Sequence, residues 1–298
     1  MEREDIEKFL KAGRIAGRAR DFGASLIKED SLVVDILDSI EEFIKKQGAG
    51  IAFPAQISIN NFAAHSCSSL NDNTTIKAGD VVKLDVGAHI DGFIGDTALT
   101  VNLNKEFDDL VLASKKALNN ASKLFVPGMK VGEIGAIIQE TISQEGFSPV
   151  KNLSGHGLGR FEIHTSPSIP NIKIPESSIL REGMTVACEP FATDGKGLIA
   201  ESGEATVFSL GVLKPVRSPF ARDVLKKIRE FQGLPFASRW LEKDLGLGKT
   251  RFGLKELERL GVIIPHPPLK EVANGLVSQH EHSFLVSDKP KISTLNED

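Results

Sequence analysis

The sequence contains no tyrosine, a single tryptophan and only two cysteines, and nothing in it offers a physical reason for the missing tyrosine. Cys67 and Cys188 are too few for a disulfide framework, so we expect them as small buried residues in a reducing cytosol. No apolar run approaches the roughly 20 residues that a membrane span requires. The charged residues 1–5 precede no signal-peptide core. The chain is therefore expected to be cytoplasmic and without membrane contact.

Neither sign of charge dominates the chain, since the formal net charge is −4. No chain-wide field should therefore draw the protein to DNA or to an anionic membrane. The 298 residues are 41% hydrophobic and 26% charged, which excludes a largely disordered chain. A chain of this size can bury one large core, or form one main domain with an insert.

An internal repeat relates the first third of the chain to the second. Isoleucine at every fourth position, followed by glycine, occurs twice with an offset of 98, at Ile36, Ile40, Ile44, Gly48 and at Ile134, Ile138, Ile142, Gly146. This pattern predicts two amphipathic helices that end in a left-handed glycine. A second match, offset by 104, aligns residues 77–85 with residues 181–189 and predicts a strand that ends at Asp85 or Glu189. A pseudo-twofold axis between such units would bring these two carboxylates together.

Two aspartates lie in an apolar segment with a strand, turn and strand pattern. Residues 81–87 and 93–97 predict the strands and residues 89–92 the turn, with Asp85 and Asp96 facing each other across the hairpin. Aspartate is unfavourable in strands, and two buried carboxylates repel unless a cation lies between them. The pair indicates a metal site, and the alternative is a capped turn or a solvated face.

Glycines flank a histidine in the segment Gly155-His156-Gly157, and His164 follows eight residues later. The glycines let the backbone approach closely and leave the imidazole free to bind a metal. The Gly-x-Gly-x-Gly spacing differs from the dinucleotide-binding fingerprint, which disfavours a nucleotide loop. His164 taken alone would be a surface histidine or a hydrogen-bonded core histidine.

Glu189 and Glu281 complete a set of four carboxylates. Residues 275–286 alternate as a strand, which sets Glu281 on the opposite face from His280 and His282. The pattern leaves open whether the glutamate or the histidines face the site. Carboxylates with one imidazole suit Mn²⁺, Fe²⁺, Co²⁺ or Zn²⁺, and four carboxylates can bridge two such ions.

Together these segments resemble the methionine aminopeptidases, in particular the type II enzymes of archaeal kind, over nearly the whole chain. The matching residues are 52–54, 59–65, Asp85, Asp96, 155–157, 189–191 and 279–282. The resemblance implies the α/β (α+β) pita-bread fold, in which two pseudo-symmetric halves surround a dinuclear metal centre. It also implies a hydrolase that removes the initiator methionine from nascent proteins whose second residue is small, with a metal-activated hydroxide as nucleophile.

The resemblance also implies a role for each residue of the metal centre. Asp85 would bind one of two divalent ions (Co, Mn, Fe or Zn), His156 and Glu189 the other, and Asp96 and Glu281 would bridge both. Glu189 would also carry protons. His65 and His164 would donate to the carbonyl oxygen or to the departing nitrogen.

The substrate pocket implied by the resemblance is apolar. Phe53, Ile163 and Phe191 would surround the methionine side chain, with His65, His164 and His266 as further substrate-binding residues. Thioether groups make favourable contacts with aromatic edges. His266 stands where many relatives have an aromatic residue before Pro-Pro.

Residues 214–270 repeat nothing in the first half. Helical periodicity over residues 220–231 and 253–260, with Trp240 between them, resembles the helical subdomain of type II enzymes. The predicted division is a catalytic domain of residues 1–213 and 271–298 and an insert of residues 214–270. The long charged N-terminal extension of eukaryotic members does not precede this sequence, which favours the archaeal type.

The insert is basic within an acidic chain. Residues 214–261 hold twelve lysines and arginines against six acidic residues, a net charge of +6. A solvated helix face is the ordinary interpretation of such a pattern. Our hypothesis is a transient contact with ribosomal RNA near the exit of the nascent chain. The expected partners are the N-termini of nascent polypeptides, and the chain is expected to be monomeric.

Two other functions remain open at this point. A proline dipeptidase shares the fold and the five ligands, but the helical insert and the lack of a large preceding domain weigh against it. A non-catalytic pita-bread protein that binds RNA or other proteins would have lost ligands, whereas all five donors are present here.

Overall fold

The computed structural model describes residues 1–175 and 178–295. Its helices are α1 (Arg3–Leu26), α2 (Val33–Lys46), α3 (Asp108–Ala121), α4 (Val131–Gln144), α5 (Pro219–Ile228), α6 (Ser238–Leu245) and α7 (Leu247–Arg259). No helix in these ranges is long and apolar enough to cross a membrane.

The strands, of two to ten residues, form five sheets within the described residues. In the first half they are β1 (Gly50–Ile59), β2 (Phe62–Ala64), β3 (Val81–Ile90), β4 (Phe93–Asn102), β5 (Ser148–Pro149), β6 (Ser154–Gly159) and β7 (Glu162–Pro170). Later in the chain come β8 (Thr185–Cys188), β9 (Phe191–Thr193), β10 (Ile199–Glu201), β11 (Val207–Leu210), β12 (Phe236–Ala237), β13 (Ile263–His266), β14 (Leu269–Glu271), β15 (Val277–Gln279), β16 (His282–Leu285) and β17 (Lys291–Ile292).

The predicted repeat of helices is confirmed. Helices α2 and α4 each have 14 residues, and both turn a stripe of three isoleucines into a hydrophobic core. Burying each isoleucine contributes about 1.5–3 kcal/mol. Gly48 and Gly146 follow these helices with φ of 74° and 86°, a left-handed conformation that is costly for a residue with a Cβ atom.

The two repeated helices cover different sheets. With α1, helix α2 packs on the sheet of order β1-β3-β4, where Gly95 lies so close to the backbone of Gly13 that a Cβ atom would collide. Helices α3 and α4 share the second core with residues of β7, β8 and β16, which belong to the sheet of order β17-β16-β8-β6-β7. The two halves therefore present their sheets towards a shared interior.

The predicted end of β3 and the predicted extent of the turn after it were wrong. β3 does not end at Asp85 but continues to Ile90, because it is the central strand of its sheet and pairs with β1 and β4 on both sides. The turn is limited to Asp91 and Gly92, both with positive φ, as two-residue hairpins favour. Glu189 does directly follow β8, as predicted.

The single strand predicted over residues 275–286 is two strands. β15 pairs with β9, whereas β16 pairs with β8 and β17, so the chain changes sheets at His280 and Glu281. This break matters for the site, because it frees the Glu281 side chain from the alternation of a continuous strand.

The region predicted as an insert packs around a core that it shares with β11, which precedes it in the chain. Side chains of α5, α6 and α7 form a third cluster with β11, β12 and β13. Helices were predicted at α5 and α7 and are present, but α6, which contains Trp240, was not foreseen. β14 pairs with β10 and with β2, so the chain rejoins the other sheets by Leu269. The division into two domains stays a prediction.

Helix α6 is attached to the first half by a buried ion cluster. The Arg239 side chain has no exposure and contacts Glu41, Asp38 and, at 2.6 Å, the Cys67 sulfur. The Trp240 indole N–H donates to Glu41 at 2.7 Å. Cys67 is free and buried. These contacts hold the loop after β2 against α6.

Candidate metal centre and reaction cavity

One cavity of about 730 Å³ receives every residue that the sequence analysis singled out for the site. Its walls include Phe53, His65, Asp85, Asp96, His156, Ile163, His164, Glu189, Phe191, His266 and Glu281. They come from both repeated halves and from β13. Because they are spread over more than two hundred positions, their convergence is a property of the tertiary fold.

Asp85 and Asp96 lie on one face of the β3–β4 hairpin. The register pairs Asp85 with Ala98 and Gly87 with Asp96, so the two carboxylates are diagonal neighbours. The prediction that they face each other directly across the hairpin is therefore wrong. A Cβ atom at Gly87 would collide with the Phe53 ring, so the position opposite Asp96 must stay small. One oxygen of each aspartate is buried without a hydrogen-bond partner among the described residues.

His156 is held between strands that could not accept larger neighbours. A Cβ atom at Gly155 would collide with the Ala187 carbonyl oxygen, and one at Gly157 with the Thr165 side chain. The His156 Nδ1 atom lies 3.2 Å from the Gly157 carbonyl oxygen, an acceptor, which assigns the proton to Nδ1 and the lone pair to Nε2. The Nε2 atom lies 3.6 Å from a carboxylate oxygen of both Asp96 and Glu189.

Glu189 and Glu281 enter the cavity where the chain changes sheets. The pairs Gln279–Phe191 and His282–Cys188 bracket them on neighbouring strands. Glu281 is almost fully buried, and its backbone N–H donates to the Ala98 carbonyl at 2.9 Å. This contact anchors the break in the strand to β4, which also contributes Asp96.

The question of which side chains near residue 281 face the site is answered by their contacts. His280 Nδ1 lies 2.9 Å from the Ser114 hydroxyl, and His282 Nδ1 lies 2.7 Å from the Thr294 hydroxyl. Neither ring lines the cavity, whereas Glu281 does.

Two supporting residues were not foreseen from the sequence. The buried Gln279 amide lies 3.4 Å from Glu189 and 3.5 Å from Glu281, long contacts that place a donor between the two glutamates. The Ser283 hydroxyl accepts from the Asp96 N–H and donates to the Asp96 carbonyl, both at 2.8 Å. The spacing of Gln279 from Glu281 was a usable signal, but the contact of Ser283 across 187 positions left none in the sequence.

The buried carboxylates are electrostatically unfavourable in the absence of a cation. Burial raises the pKa of Asp85 to about 7. Burial, and then repulsion from the other carboxylates, raises the pKa of Asp96, Glu189 and Glu281 above the ordinary range. Burial lowers the pKa of His156 to about 3, so its imidazole is neutral and able to act as a ligand.

This donor set fits divalent cations. One ligand atom from each of Asp96, His156 and Glu281 lies within 4.8 Å of the others, and the unpartnered oxygens of Asp85 and Asp96 border the same space. Carboxylate oxygens with one imidazole suit first-row divalent ions, which would also offset the repulsion between the acids.

Three further histidines line the cavity outside the ligand cluster. His65 has a φ of 62°, and its backbone N–H donates to the Gln56 side chain at 2.8 Å. Burial and the neighbouring His266 and His164 lower the pKa of His65 to about 4. The ring of His266 lies 5.8 Å from that of His65, and its Nε2 atom lies 2.9 Å from the Ser209 hydroxyl. Burial also lowers the pKa of His164 and of His266.

The apolar part of the wall belongs to two packed clusters. Phe53 and Ile163 share a buried cluster with Phe9, Leu158 and other side chains. Phe191 packs in a small cluster with Ala63, Val150 and Val277. All three side chains line the cavity, so an apolar ligand group there would meet a rigid surface.

Comparison with known proteins identifies the relatives of this arrangement. Residues 7–213 match the model of metallopeptidase family M24. The methionine aminopeptidase of Thermococcus onnurineus is 45% identical over 95% of this chain and 97% of its own length. That of Archaeoglobus fulgidus is 45% identical over 97% of both chains.

Solved structures share the fold. The methionine aminopeptidase of Thermotoga maritima superposes with a TM-score of 0.72 and 24% identity, covering 99% of this chain and 98% of its own. A thermophilic Arx1 superposes with a TM-score of 0.89 at 16% identity, covering 100% of this chain and 92% of its own. At such identities the likeness establishes the pita-bread fold and nothing about chemistry.

Proposed function

This chain belongs to the methionine aminopeptidases of metallopeptidase family M24, and we propose that it removes the initiator methionine from nascent polypeptides whose second residue is small. The observation that carries the proposal is the convergence of two buried carboxylates (Asp96 and Glu281), two partly buried carboxylates (Asp85 and Glu189) and one neutral imidazole in the cavity that also contains the apolar wall. The enzyme is a metal-dependent hydrolase, and the identity and number of its ions belong to the proposal.

We assign two divalent ions, of Co, Mn, Fe or Zn, to the five ligands. Asp85 would hold one ion, His156 and Glu189 the other, and Asp96 and Glu281 both. Bound divalent cations supply the Lewis acidity that lets water ionise near neutral pH and that polarises a carbonyl oxygen. The unpartnered oxygens of Asp85 and Asp96 support this assignment, because a buried carboxylate oxygen without a donor or a cation is costly.

Proton transfer is assigned to three residues. Glu189 takes the proton of the attacking water and delivers it to the departing amine, which suits a carboxyl group whose pKa is raised well above its ordinary value by burial and by the neighbouring Asp96 and Asp85. His164 and His65 donate N–H hydrogen bonds to the carbonyl oxygen or the departing nitrogen. Because burial lowers the pKa of both rings, each remains neutral at pH 7 and donates without adding a charge.

The methionine side chain is assigned to the wall made by Phe53, Ile163 and Phe191. His266 closes this region next to His65, and its bond to Ser209 fixes the ring orientation. A flexible thioether adapts well to aromatic surfaces. The restriction to a small second residue would follow from the space left beside the ligand cluster.

The insert, residues 214–270, is proposed as a separate subdomain that contacts ribosomal RNA. Eight exposed basic residues of this region form no ion pair with any described residue, namely Lys214, Arg217, Arg222, Lys226, Arg229, Arg251, Lys255 and Arg259. Phe220 and Phe252 are also exposed, with ring centroids 6.5 Å apart. Unpaired basic charge beside aromatic rings suits RNA. Ribosome co-sedimentation should fall when four of these eight residues are replaced by glutamine, and unchanged pelleting would contradict the contact.

The activity itself is tested by turnover of Met-Ala-Ser after chelation and readdition of single metals. We expect no cleavage in the chelated enzyme, recovery with at least one of the four ions, and a plateau at two ions per chain by elemental analysis.

Cleavage of Xaa-Pro dipeptides in preference to Met-Ala-Ser would favour the proline dipeptidase instead. A protein that binds no ion under any loading would favour the non-catalytic alternative. We further propose that the protein is cytoplasmic and monomeric; sedimentation of the purified chain tests the monomer, and fractionation of cells tests the location.

A further inference from the structure

One wall of the reaction cavity is the edge of a sheet. β7 is the outermost strand of the five-stranded sheet, paired with β6 on one side and with no strand of the described ranges on the other. Glu162, Ile163, His164, Thr165, Ser166 and Ser168 of this strand all line the cavity. The strand thus begins at the Glu162 carboxylate, passes the apolar wall at Ile163 and the ligand cluster at His164, and continues beyond them. At about 3.3 Å per residue, the stretch from His164 to Ser168 spans about 13 Å.

The chemistry of the wall changes along β7. After His164 it is made of hydroxyl groups, those of Thr165, Ser166 and Ser168, to which the neighbouring β6 adds Ser154. The hydroxyls of Ser154, Ser166 and Ser168 have no hydrogen-bond partner within the described part of the chain. Each can donate one hydrogen bond and accept two. In contrast, the buried Ser114, Ser278 and Ser283 are all hydrogen-bonded within the protein.

Uncharged hydroxyl groups are well suited to binding the main chain of a peptide. Peptide N–H and C=O groups are neutral donors and acceptors that every polypeptide carries at the same spacing. A wall without charge beyond His164 would hold a main chain without selecting its side chains. Pro167 has no N–H group, so a continuous β ladder cannot form along this edge. The serine hydroxyls on both sides of Pro167 provide donors where the backbone cannot.

We infer that β7 carries an extended substrate subsite, in which the hydroxyls of Ser154, Ser166 and Ser168 bind the main chain of the third to fifth substrate residues. This inference rests on the proposed function, because that function puts the methionine beside Ile163 and the scissile bond beside His164. The substrate then leaves the cavity in the same direction as β7. Extended peptides commonly bind at exposed sheet edges, where main-chain contacts supply affinity.

The test is a series of methionyl-alanyl peptides of two to five residues, cleaved by the metal-loaded enzyme. We expect kcat/KM of the wild type to rise with length by about fivefold per added hydrogen bond, the scale of one neutral hydrogen bond. In the double variant Ser166→Ala/Ser168→Ala, the ratio of kcat/KM for the pentapeptide to that for the dipeptide should fall by about 25-fold, which leaves only the contribution of Ser154. The matched control Ser25→Ala/Ser143→Ala changes two exposed serines outside the cavity and should keep the wild-type ratio.

A change in the substrate provides a second, independent measurement. Methylation of the amide nitrogen of the third residue removes one donor and should lower turnover by the wild type but not by the double serine variant. Replacing the third and fourth residues by lysine or by glutamate should change kcat/KM by no more than about threefold, as expected for solvent-exposed charges. A strong preference for either charge would show that the subsite recognises the side chains of the substrate instead of its main chain.

The inference and the proposed function fail in different ways. If the dipeptide is cleaved but longer peptides gain nothing, or if the double variant keeps the gain, the extended subsite is overturned and the activity stands. If no methionyl peptide of any length is cleaved with any of the divalent ions, the proposed function is overturned first.

Discussion

The imidazoles of His156 and His164 meet edge to face, with ring centroids 4.4 Å apart and planes at 83°. His156 presents Nε2 to the carboxylates of Asp96 and Glu189, whereas the His164 ring is exposed to the cavity. Two adjacent rings of the same chemistry therefore have different surroundings, and their replacement should have different effects.

The first prediction separates metal binding from catalysis. His156→Ala should lose bound metal and activity together. His164→Ala should keep its metal and lose about 10²–10⁴-fold in kcat, the usual contribution of a positioned proton donor. Metal content by elemental analysis and steady-state kinetics check both. His89→Ala, which changes a histidine outside the cavity, should keep both properties. Loss of metal in the His164 variant would contradict the assignment.

The second prediction concerns the repulsion between buried acids. Glu281→Gln should lose metal and activity, and its metal-free form should unfold at a higher denaturant concentration than the metal-free wild type, because one of four clustered, mutually repelling carboxyl groups is removed. Denaturation in excess chelator measures this.

Glu271→Gln is the matched control for that variant. Although burial opposes it, backbone N–H groups of Gly275, Ala273 and Lys196 hold the pKa of the Glu271 carboxyl below its usual range. Glutamine there should therefore destabilise the protein. An active Glu281→Gln enzyme with normal metal content would show that the ligand assignment is wrong.

The third prediction is a pH dependence of stability due to His65. Its folded pKa of about 4 lies below the ordinary value of 6.5, so between these values the unfolded chain binds more protons than the folded one. His65 therefore contributes stability above pH 6.5 that is lost as the pH falls through about 4, up to about 3 kcal/mol.

His65→Gln removes this titration. Free energies of unfolding in chelator, measured from pH 7 to pH 4, should show the variant gaining on the wild type as the pH falls. Parallel curves for the two proteins would show that the His65 ring does not titrate in this range.

The fourth prediction concerns the attachment of α6. Arg239→Met leaves Glu41 buried without its cation and should cost about 3–5 kcal/mol of unfolding free energy. Lys243→Ala, on the same helix, removes only a half-exposed pair with Asp38 and should cost no more than about 1 kcal/mol. Urea denaturation compares the two. Similar small losses would mean that the buried cluster does not stabilise the fold.

The fifth prediction tests the close packing of β6 against β8. Gly155→Ala would push the new methyl group into the Ala187 carbonyl oxygen, displace His156 and lower metal content even where the protein folds. Gly248→Ala, in α7 with open space around it, should be neutral or stabilising by up to about 1 kcal/mol. Metal binding by the Gly155→Ala variant equal to the wild type would contradict this explanation.

Sequence periodicity was sufficient for features that depend on local geometry. The isoleucine stripes that end at Gly48 and Gly146 specify two helices and their left-handed ends, because helix sterics involve only neighbouring residues. The hairpin between Asp85 and Asp96 and the glycines beside His156 were also recognisable, since each reflects a local backbone requirement. Only the tertiary contacts of the protein explained why Gly155 and Gly157 must be glycine.

Other features of the site were determined only by the tertiary structure, because they depend on contacts between strands that are distant in sequence. The sequence could not say whether Glu281 or its flanking histidines face the cavity, because the answer comes from the change of sheets between β15 and β16. It could not give the diagonal offset of Asp85 and Asp96, which is a matter of register, or the bond between Ser283 and Asp96. Side-chain direction follows from which strands pair, and pairing is determined by packing over the whole chain.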